Sequence, residues 1–383
     1  MGNYPDGYNG RVIDFIAWFL VLLGLVSIAI VFLDSFETIV LPRTVKRPIR
    51  LTNLFFIVSR RTFMAIAGMK QTSRRQTLLV AFAPLMLFGL IFCWALLLIV
   101  GFALVGAGIN MPFHAGETAS FGDRMYFSGI TFFTIGYGDF TPITPGGKLL
   151  AVLEGGTGFG FLALVVSYVP VLYSAFSRRE VTILLLDSKA GSDPTAAEIL
   201  RRHAEAGCMT ALTQLLKDWE VFSAQLLENY LSYPVLAFYR SQHDDQSWLR
   251  SLCAIMDTCA ICHGGCEGHN EFAPGLTFQA KATFTMARHL VVDFAYVVNA
   301  EPEEPPERFT PENIEKIRAV LRASGVHLST DPAADNKIEA TRKLYEPYIR
   351  GLARRLSMDM PDLVPAPNQL DNWQTSAWDG KHF

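Results

Sequence analysis

From Gln76 to Gly116 the chain passes without one Asp, Glu, Lys or Arg, and nothing else in its 383 residues constrains its folding so tightly. The apolar part of this stretch, residues 78–105, is long enough at about 1.5 Å per residue to cross a hydrocarbon core of about 30 Å with tilt. Pro84 is the place to expect a kink in it. Two more runs have the same character: residues 15–33, uncharged between Asp14 and Asp34, and residues 149–176, interrupted only by Glu154. The composition agrees, since 50% hydrophobic against 18% charged residues is too apolar for an ordinary soluble protein of this length. Residues 177–383, by contrast, carry the charges, caps and prolines of a water-soluble domain.

The segment before residue 15 is a polar, Gly- and Asn-rich stub without the basic start and small-residue cleavage site of a signal peptide, so the first run reads as a retained transmembrane helix. A basic stretch follows, residues 43–75, with Arg43, Lys46, Arg47, Arg50, Arg60, Arg61, Lys70 and Arg74. Its middle, residues 51–69, is amphipathic with two arginines at its centre, which suits a helix lying along the membrane surface. The excess of Lys and Arg there, and the pair Arg178 and Arg179, assign these segments to the cytoplasm. Residues 106–148 and the N-terminus then face outward. Arg43, Lys46, Arg47, Arg50, Arg60 and Arg61 are candidates for binding anionic lipid headgroups, against the simpler reading of plain positive-inside bias, which any cytoplasmic loop would show. A net charge of −3 gives no concentrated basic surface for nucleic acid. None of the six cysteines falls in a segment assigned outside, which fits a reduced cytoplasmic setting.

Between the second and third runs lies a short apolar segment, residues 121–133, followed by Thr134, Ile135, Gly136, Tyr137, Gly138 and Asp139. It is too short to cross a membrane, yet both its ends lie on one side. A re-entrant helix with an extended return meets that requirement, and non-helical backbone at such depth is allowed only where it lines a water-filled path. A dehydrated cation needs several oxygens, and a ring of backbone carbonyls supplies them without fixed charge. Pointing successive carbonyls one way needs residues that tolerate positive φ, hence Gly136 and Gly138. The carbonyls of Thr134, Ile135, Gly136 and Tyr137, with the Thr134 hydroxyl, would stack as coordination sites. The preceding helix would aim the negative end of its dipole at the cation.

In this topological slot the string from Thr134 to Asp139 resembles the potassium-channel signature, as in the simple two-helix bacterial channels, over residues 121–176. The resemblance implies an all-α membrane protein with the pore-loop potassium channel fold, extended by an N-terminal transmembrane helix and a C-terminal helical cytoplasmic domain. The divisions are then 1–76, 77–177 and 178–383. It implies a cell-membrane channel subunit, not an enzyme, with potassium ions at Thr134, Ile135, Gly136 and Tyr137, no other cofactor, and a homotetramer, because one chain supplies one of four loops. Tyr126 and Phe127 stand where the family has an aromatic pair bracing the filter, Asp139 supports its outer end, and Gly158 falls at the inner-helix hinge. Two positions depart: Ile130 where some relatives have a carboxylate, and Phe133 in place of a common threonine. They put inherited inactivation behaviour in question, not selectivity.

Further signals have two readings each. Gly155, Gly156, Gly158 and Gly160 form either a gating hinge or a close-packing surface. Glu154 is expected behind the filter, hydrogen-bonded to the pore helix, where burial favours its neutral form; it serves either as a proton sensor or as a structural bond. Cys259, Cys262 and His263 match a haem-attachment string, and Cys259, Cys262, Cys266 and His269 a zinc set, against the simpler reading of ordinary thiols. Trp373 and Trp378 either anchor the tail to a neighbouring subunit or mark a disordered end.

In the soluble half, apolar residues recur at helical spacing through 199–231, 249–262, 278–298, 314–321 and 338–356. Asp193 and Pro194 read as a helix cap and first residue, residues 301–307 as a linker, and the tail after Met358 as extended. No arginine repeat, phosphate loop or EF-hand pattern identifies a gating stimulus.

Overall fold

The computed structural model describes residues 6–41, 50–68, 72–114, 119–241, 247–265, 275–304, 308–365 and 370–374. Its helices in chain order are α1 (Asp6–Ser35), prolonged by a π-helical turn (Phe36–Val40), α2 (Leu51–Gly68), α3 (Thr72–Gly108), α4 (Phe121–Phe132) and α5 (Pro145–Ala190). Then follow α6 (Ala196–Glu205), α7 (Met209–Ser232), a 3₁₀ turn (Pro234–Phe238), α8 (Trp248–Gly265), α9 (Leu276–Val297), α10 (Pro311–Ala323), α11 (Pro332–Lys343) and α12 (Glu346–Leu356). Among the described residues there is no β-strand, only an isolated bridge between Phe113 and Pro142. The contacts divide the chain into two units: Met1–Lys70 with Pro84–Leu172, and Gln71–Ala83 with Tyr173–Phe383.

Among the described residues three helices are long and apolar enough to span a membrane, over Asp14–Ile39, Val80–Gly108 and Pro145–Ala190, most of their length falling in the first unit. The first is longer than residues 15–33 because Asp34 and Glu37 are buried within it. α1 packs on α3 through glycines: a Cβ on Gly24 would stand 2.5 Å from the Gly101 carbonyl oxygen, and one on Gly108 2.6 Å from that of Ala17. Absent side chains let the backbones touch, the usual route to helix association in lipid. Along the same seam Ser27 donates to the Leu97 carbonyl at 3.0 Å. At its end Asp34 accepts from the Trp94 indole at 2.9 Å, from the Thr52 amide at 3.1 Å and from the Thr52 hydroxyl. These bonds satisfy a carboxylate that would otherwise be costly at 5% exposure. They also fix the start of α2 to α1 and α3. An apolar cluster of Val31, Leu90, Trp94, Leu98, Ile99 and Phe132 fills the space between.

The second unit is built around α8, which is buried on nearly all sides because its sequence is mostly apolar from Leu249 to Cys262. Among its polar residues, Asp257 is at 0% exposure. Arg308 pairs with it at 2.9 Å and the Tyr345 hydroxyl donates to it. Burial works against the charge on Arg308, but Asp257, Cys253, Tyr345 and Glu346 together outweigh it and hold the guanidinium above its ordinary value. Burial, then Asp257, pushes the Tyr345 hydroxyl well above its own, so it remains a donor. Glu346, equally buried, pairs with Arg342.

The spacing-based helices need three corrections here. Asp193 has φ +89° and pairs with Arg250, so it cannot take the extended backbone of an N-cap. Thr195 (φ −126°, ψ 152°) caps α6 instead, accepting from the Glu198 amide. The run 199–231 breaks at Gly207, whose φ of +62° closes α6: the Cys208 amide reaches the His203 carbonyl and the Gly207 amide that of Ala204. The run 338–356 starts earlier, at the Asp331 cap with Pro332, and breaks at Leu344 and Tyr345.

α5 continues past residue 176 to Ala190 as one helix. Arg179, read from sequence only as an orientation charge, is 3% exposed and donates to the carbonyls of Leu236 and Tyr239 at 3.0 and 2.7 Å. The tail after Met358 is non-helical up to Asn372 among the described residues and turns back onto α6: the Leu363 carbonyl accepts from the Ala197 amide, and Asp371 pairs with Arg202 at 2.8 Å. Trp373 is 75% exposed, and Trp378 lies outside the described residues.

Candidate functional site

α4 is held at both ends. Ser120 and Asp123 form a reciprocal capping box, in which the Ser120 hydroxyl accepts from the Asp123 amide and the Asp123 carboxylate accepts from the Ser120 amide at 2.8 Å. The next residue, Arg124, is buried and donates at 2.9 Å to the carbonyl of Gly106, in the last turn of α3, and to that of Met111, just beyond it. The sequence reading missed both, although Ser-x-x-Asp ahead of an apolar run was the visible signal for the first. Phe127 is buried against Phe113, with ring centroids 5.0 Å apart, and Phe140 packs on the same ring at 5.4 Å. Tyr126 stacks edge-on against Phe140 and hydrogen-bonds Asp139. The return segment is tied by His114 amide to Thr141 carbonyl and Ile143 amide to Pro112 carbonyl.

At the C-terminal end of α4, Phe132 is 2% exposed in the apolar cluster. The backbone then inverts at every second residue: Thr134, Gly136 and Gly138 have φ of +54°, +59° and +82°. The Ile135 and Gly136 amides both donate to the Ile130 carbonyl, at 2.8 and 3.3 Å. Thr134 through Gly138 lie exposed on the single chain, with Ile135 at 50% and Tyr137 at 72%.

α5 backs this turn at two points. Glu154, 2% exposed, meets the Ser128 hydroxyl. One turn on, a Cβ at Gly158 would lie 1.8 Å from the Phe132 carbonyl oxygen. Gly155 is in ordinary contact with Thr131, while Gly156 and Gly160 have nothing within 4 Å. Of the four glycines, Gly158 is the one that a backbone approach requires.

The remaining candidates are scattered. Arg50 is turned into the chain, 3.5 Å from Glu37 and bonded to Thr38; Arg61 is exposed; Arg43, Lys46 and Arg47 lie outside the described residues. Cys259 and Cys262 are buried in α8, where burial pushes the Cys259 thiol well above its ordinary value. Among the described residues no group of His, Cys, Asp or Glu is placed to hold a metal, and Cys266 and His269 lie outside them.

Residues 85–174 match the ion channel family model Ion_trans_2. The chain is 26% identical to the uncharacterized membrane protein YdjJ of Bacillus subtilis (strain 168), over 71% of this chain and 78% of that protein. It is 43% identical over 58 residues to two pore potassium channel c of Oryza sativa subsp. japonica, and 39% identical over 77 residues to two-pore potassium channel 5 of Arabidopsis thaliana. Those two matches cover 15% and 19% of this chain, and 13% and 19% of the plant proteins. No solved structure matches the chain. The likenesses support an ion channel within an all-helical membrane protein.

Proposed function

We propose that the chain is one subunit of a potassium-selective channel in which four copies surround a single pore. The observation that carries this is the inverted backbone at Thr134, Gly136 and Gly138, placed directly after a capped re-entrant helix. In an ordinary strand successive carbonyls alternate sides; reversing the sign of φ at every second residue removes that alternation. The carbonyls of Thr134, Ile135, Gly136 and Tyr137 then form one column, and the Thr134 hydroxyl closes its inner end. Four such columns replace the hydration shell of a potassium ion, which is the cargo. One column cannot, which accounts for the exposure of these residues on a single chain. The plant potassium channels are matched through part of the chain, which adds weight to this choice of cation.

The C-terminus of α4 points the negative end of its dipole at the entering ion. Selectivity belongs to this turn. The second unit, on the cytoplasmic side by the excess of Lys and Arg near the spans, adjusts opening or assembly. The exposed Arg61, with its basic neighbours between α1 and α3, contacts anionic headgroups of the inner leaflet.

Reconstitution in liposomes tests the reading. The parent protein is expected to pass potassium far better than sodium, and Gly136→Ala to abolish flux, since a Cβ disfavours φ near +59°. Equal potassium and sodium flux would overturn it, as would a monomer or dimer as the active species by mass measurement.

A further inference from the structure

Ser128 occupies a position that its single proton cannot satisfy unless Glu154 supplies another. Its hydroxyl oxygen is 2.8 Å from the Ile99 carbonyl of α3 and in hydrogen-bond contact with Glu154 Oε1 of α5. A carbonyl only accepts, and an ionised carboxylate only accepts. With Glu154 ionised, the one hydroxyl proton would serve one neighbour and leave two oxygen atoms facing each other without a proton, in a site where Ser128 is 1% exposed. With Glu154 protonated, every contact has its proton: the acid donates to Ser128, and Ser128 donates to Ile99.

Among the described residues of α3, α4 and α5, no charge competes for this proton. α3 carries none between Gln76 and Gly116. On α4, Asp123 is engaged with Ser120 and Arg124 with the end of α3. On α5 the nearest charged side chain, Lys148, is exposed, and so is Asp139 beyond the filter turn.

We infer that Glu154 is a positioning residue held as the neutral acid, and that its proton seats the pore helix between α3 and α5. Two residues after Ser128, the Ile130 carbonyl receives the amides of Ile135 and Gly136. The seat of α4 therefore sets the position of the backbone proposed to bind the ion. Loss of the proton turns the Glu154–Ser128–Ile99 chain repulsive and loosens the filter from behind. This consequence rests on the potassium reading; the protonation itself does not.

Infrared difference spectroscopy of the purified full chain, parent minus Glu154→Gln, tests the protonation without reference to transport. A protonated-carboxyl band at neutral pH is expected in the parent and absent in the variant; no such band in the parent overturns the inference. In liposomes, Glu154→Gln keeps a donor toward Ser128, so it should hold the parent's potassium-to-sodium ratio within about twofold and remain flat at alkaline pH, where the parent declines. An unchanged alkaline decline in Glu154→Gln overturns the positioning role. Should that variant fail to fold, Ser128→Ala removes the relay and leaves the acid: the band must move toward that of an unbonded acid, and an unmoved band refutes the relay. A band together with unselective flux in the parent supports the relay and overturns the potassium reading.

Discussion

Asp257 in the second unit and the turn from Thr134 to Gly138 in the first are each the most polar feature of their surroundings, and the chain treats them oppositely. Asp257 is fully buried and finds its partners, Arg308 and Tyr345, within the same chain. The turn keeps the Ile135 and Gly136 amides bonded to Ile130 and leaves Ile135 and Tyr137 half or more exposed. The same contrast extends to apolar side chains. α1 shows Phe15, Trp18 and Leu22 at 72%, 75% and 61%, whereas α8 hides Leu249, Ile255 and Met256 completely. The difference teaches that the second unit closes its own core against water. The first is shaped for hydrocarbon on one side and, in the proposed assembly, for copies of itself on the other.

The largest expected effect attacks the closed core. Asp257→Ala strands a buried guanidinium and a buried phenol, and a broken buried pair costs about 3–5 kcal/mol. Thermal unfolding of the full chain in detergent should show the second unit melting well below the parent. An unshifted transition would mean that the pair is not what closes that core. The next effect sharpens the contrast from the membrane side. Gly158→Ala sets a Cβ against the Phe132 backbone, which has no flexible end to move, and should cost about 1–3 kcal/mol together with flux. Gly160→Ala, with open space around it, should stay within about 0.5 kcal/mol of the parent. Equal behaviour of the two would show that hinge flexibility, not packing, governs the glycine run.

The smallest effect is a pH slope confined to the second unit. Burial holds the His203 imidazole below its ordinary value of about 6.5, against the hydrogen bond to the Ile199 carbonyl and helped by Lys189. With the folded value depressed, the unfolded chain binds the extra proton, so stability is fully present above about 6.5 and falls as pH drops through it. Melting temperature measured from pH 7.5 to 5.5 should decline more steeply in the parent than in His203→Gln, and parallel slopes would remove His203 as the cause.

What the sequence allowed to be read follows from the range of the interactions. Apolar spans are properties of contiguous residues, so charge-free runs located three long helices, though the first runs on to Ile39 and the third to Ala190, past the ends that the charges suggested. The string from Thr134 to Asp139 is equally local. Helix ends in the second unit were harder, because Asp193 and Thr195 are both plausible caps by type and only the backbone at Asp193 decides between them. Arg308, Asp257 and Tyr345 lie far apart in the chain, and no periodicity announces that three helices' worth of folding will join them. Ser128 was invisible for the same reason. A serine in a short helix is unremarkable until Glu154, 26 residues away, is brought against it.

The glycine seam between α1 and α3 makes membrane thickness a mechanical matter. The apolar part of α1 and its π-helical turn spans 26 residues, about 39 Å of helix, against a hydrocarbon core of about 30 Å. Such an excess is taken up by leaning. With Gly24 and Gly108 each in backbone contact across the seam, α1 cannot lean by itself, and α3 must incline with it. Because α3 supplies the Ile99 carbonyl that meets Ser128, a thinner bilayer pushes sideways on the support of α4.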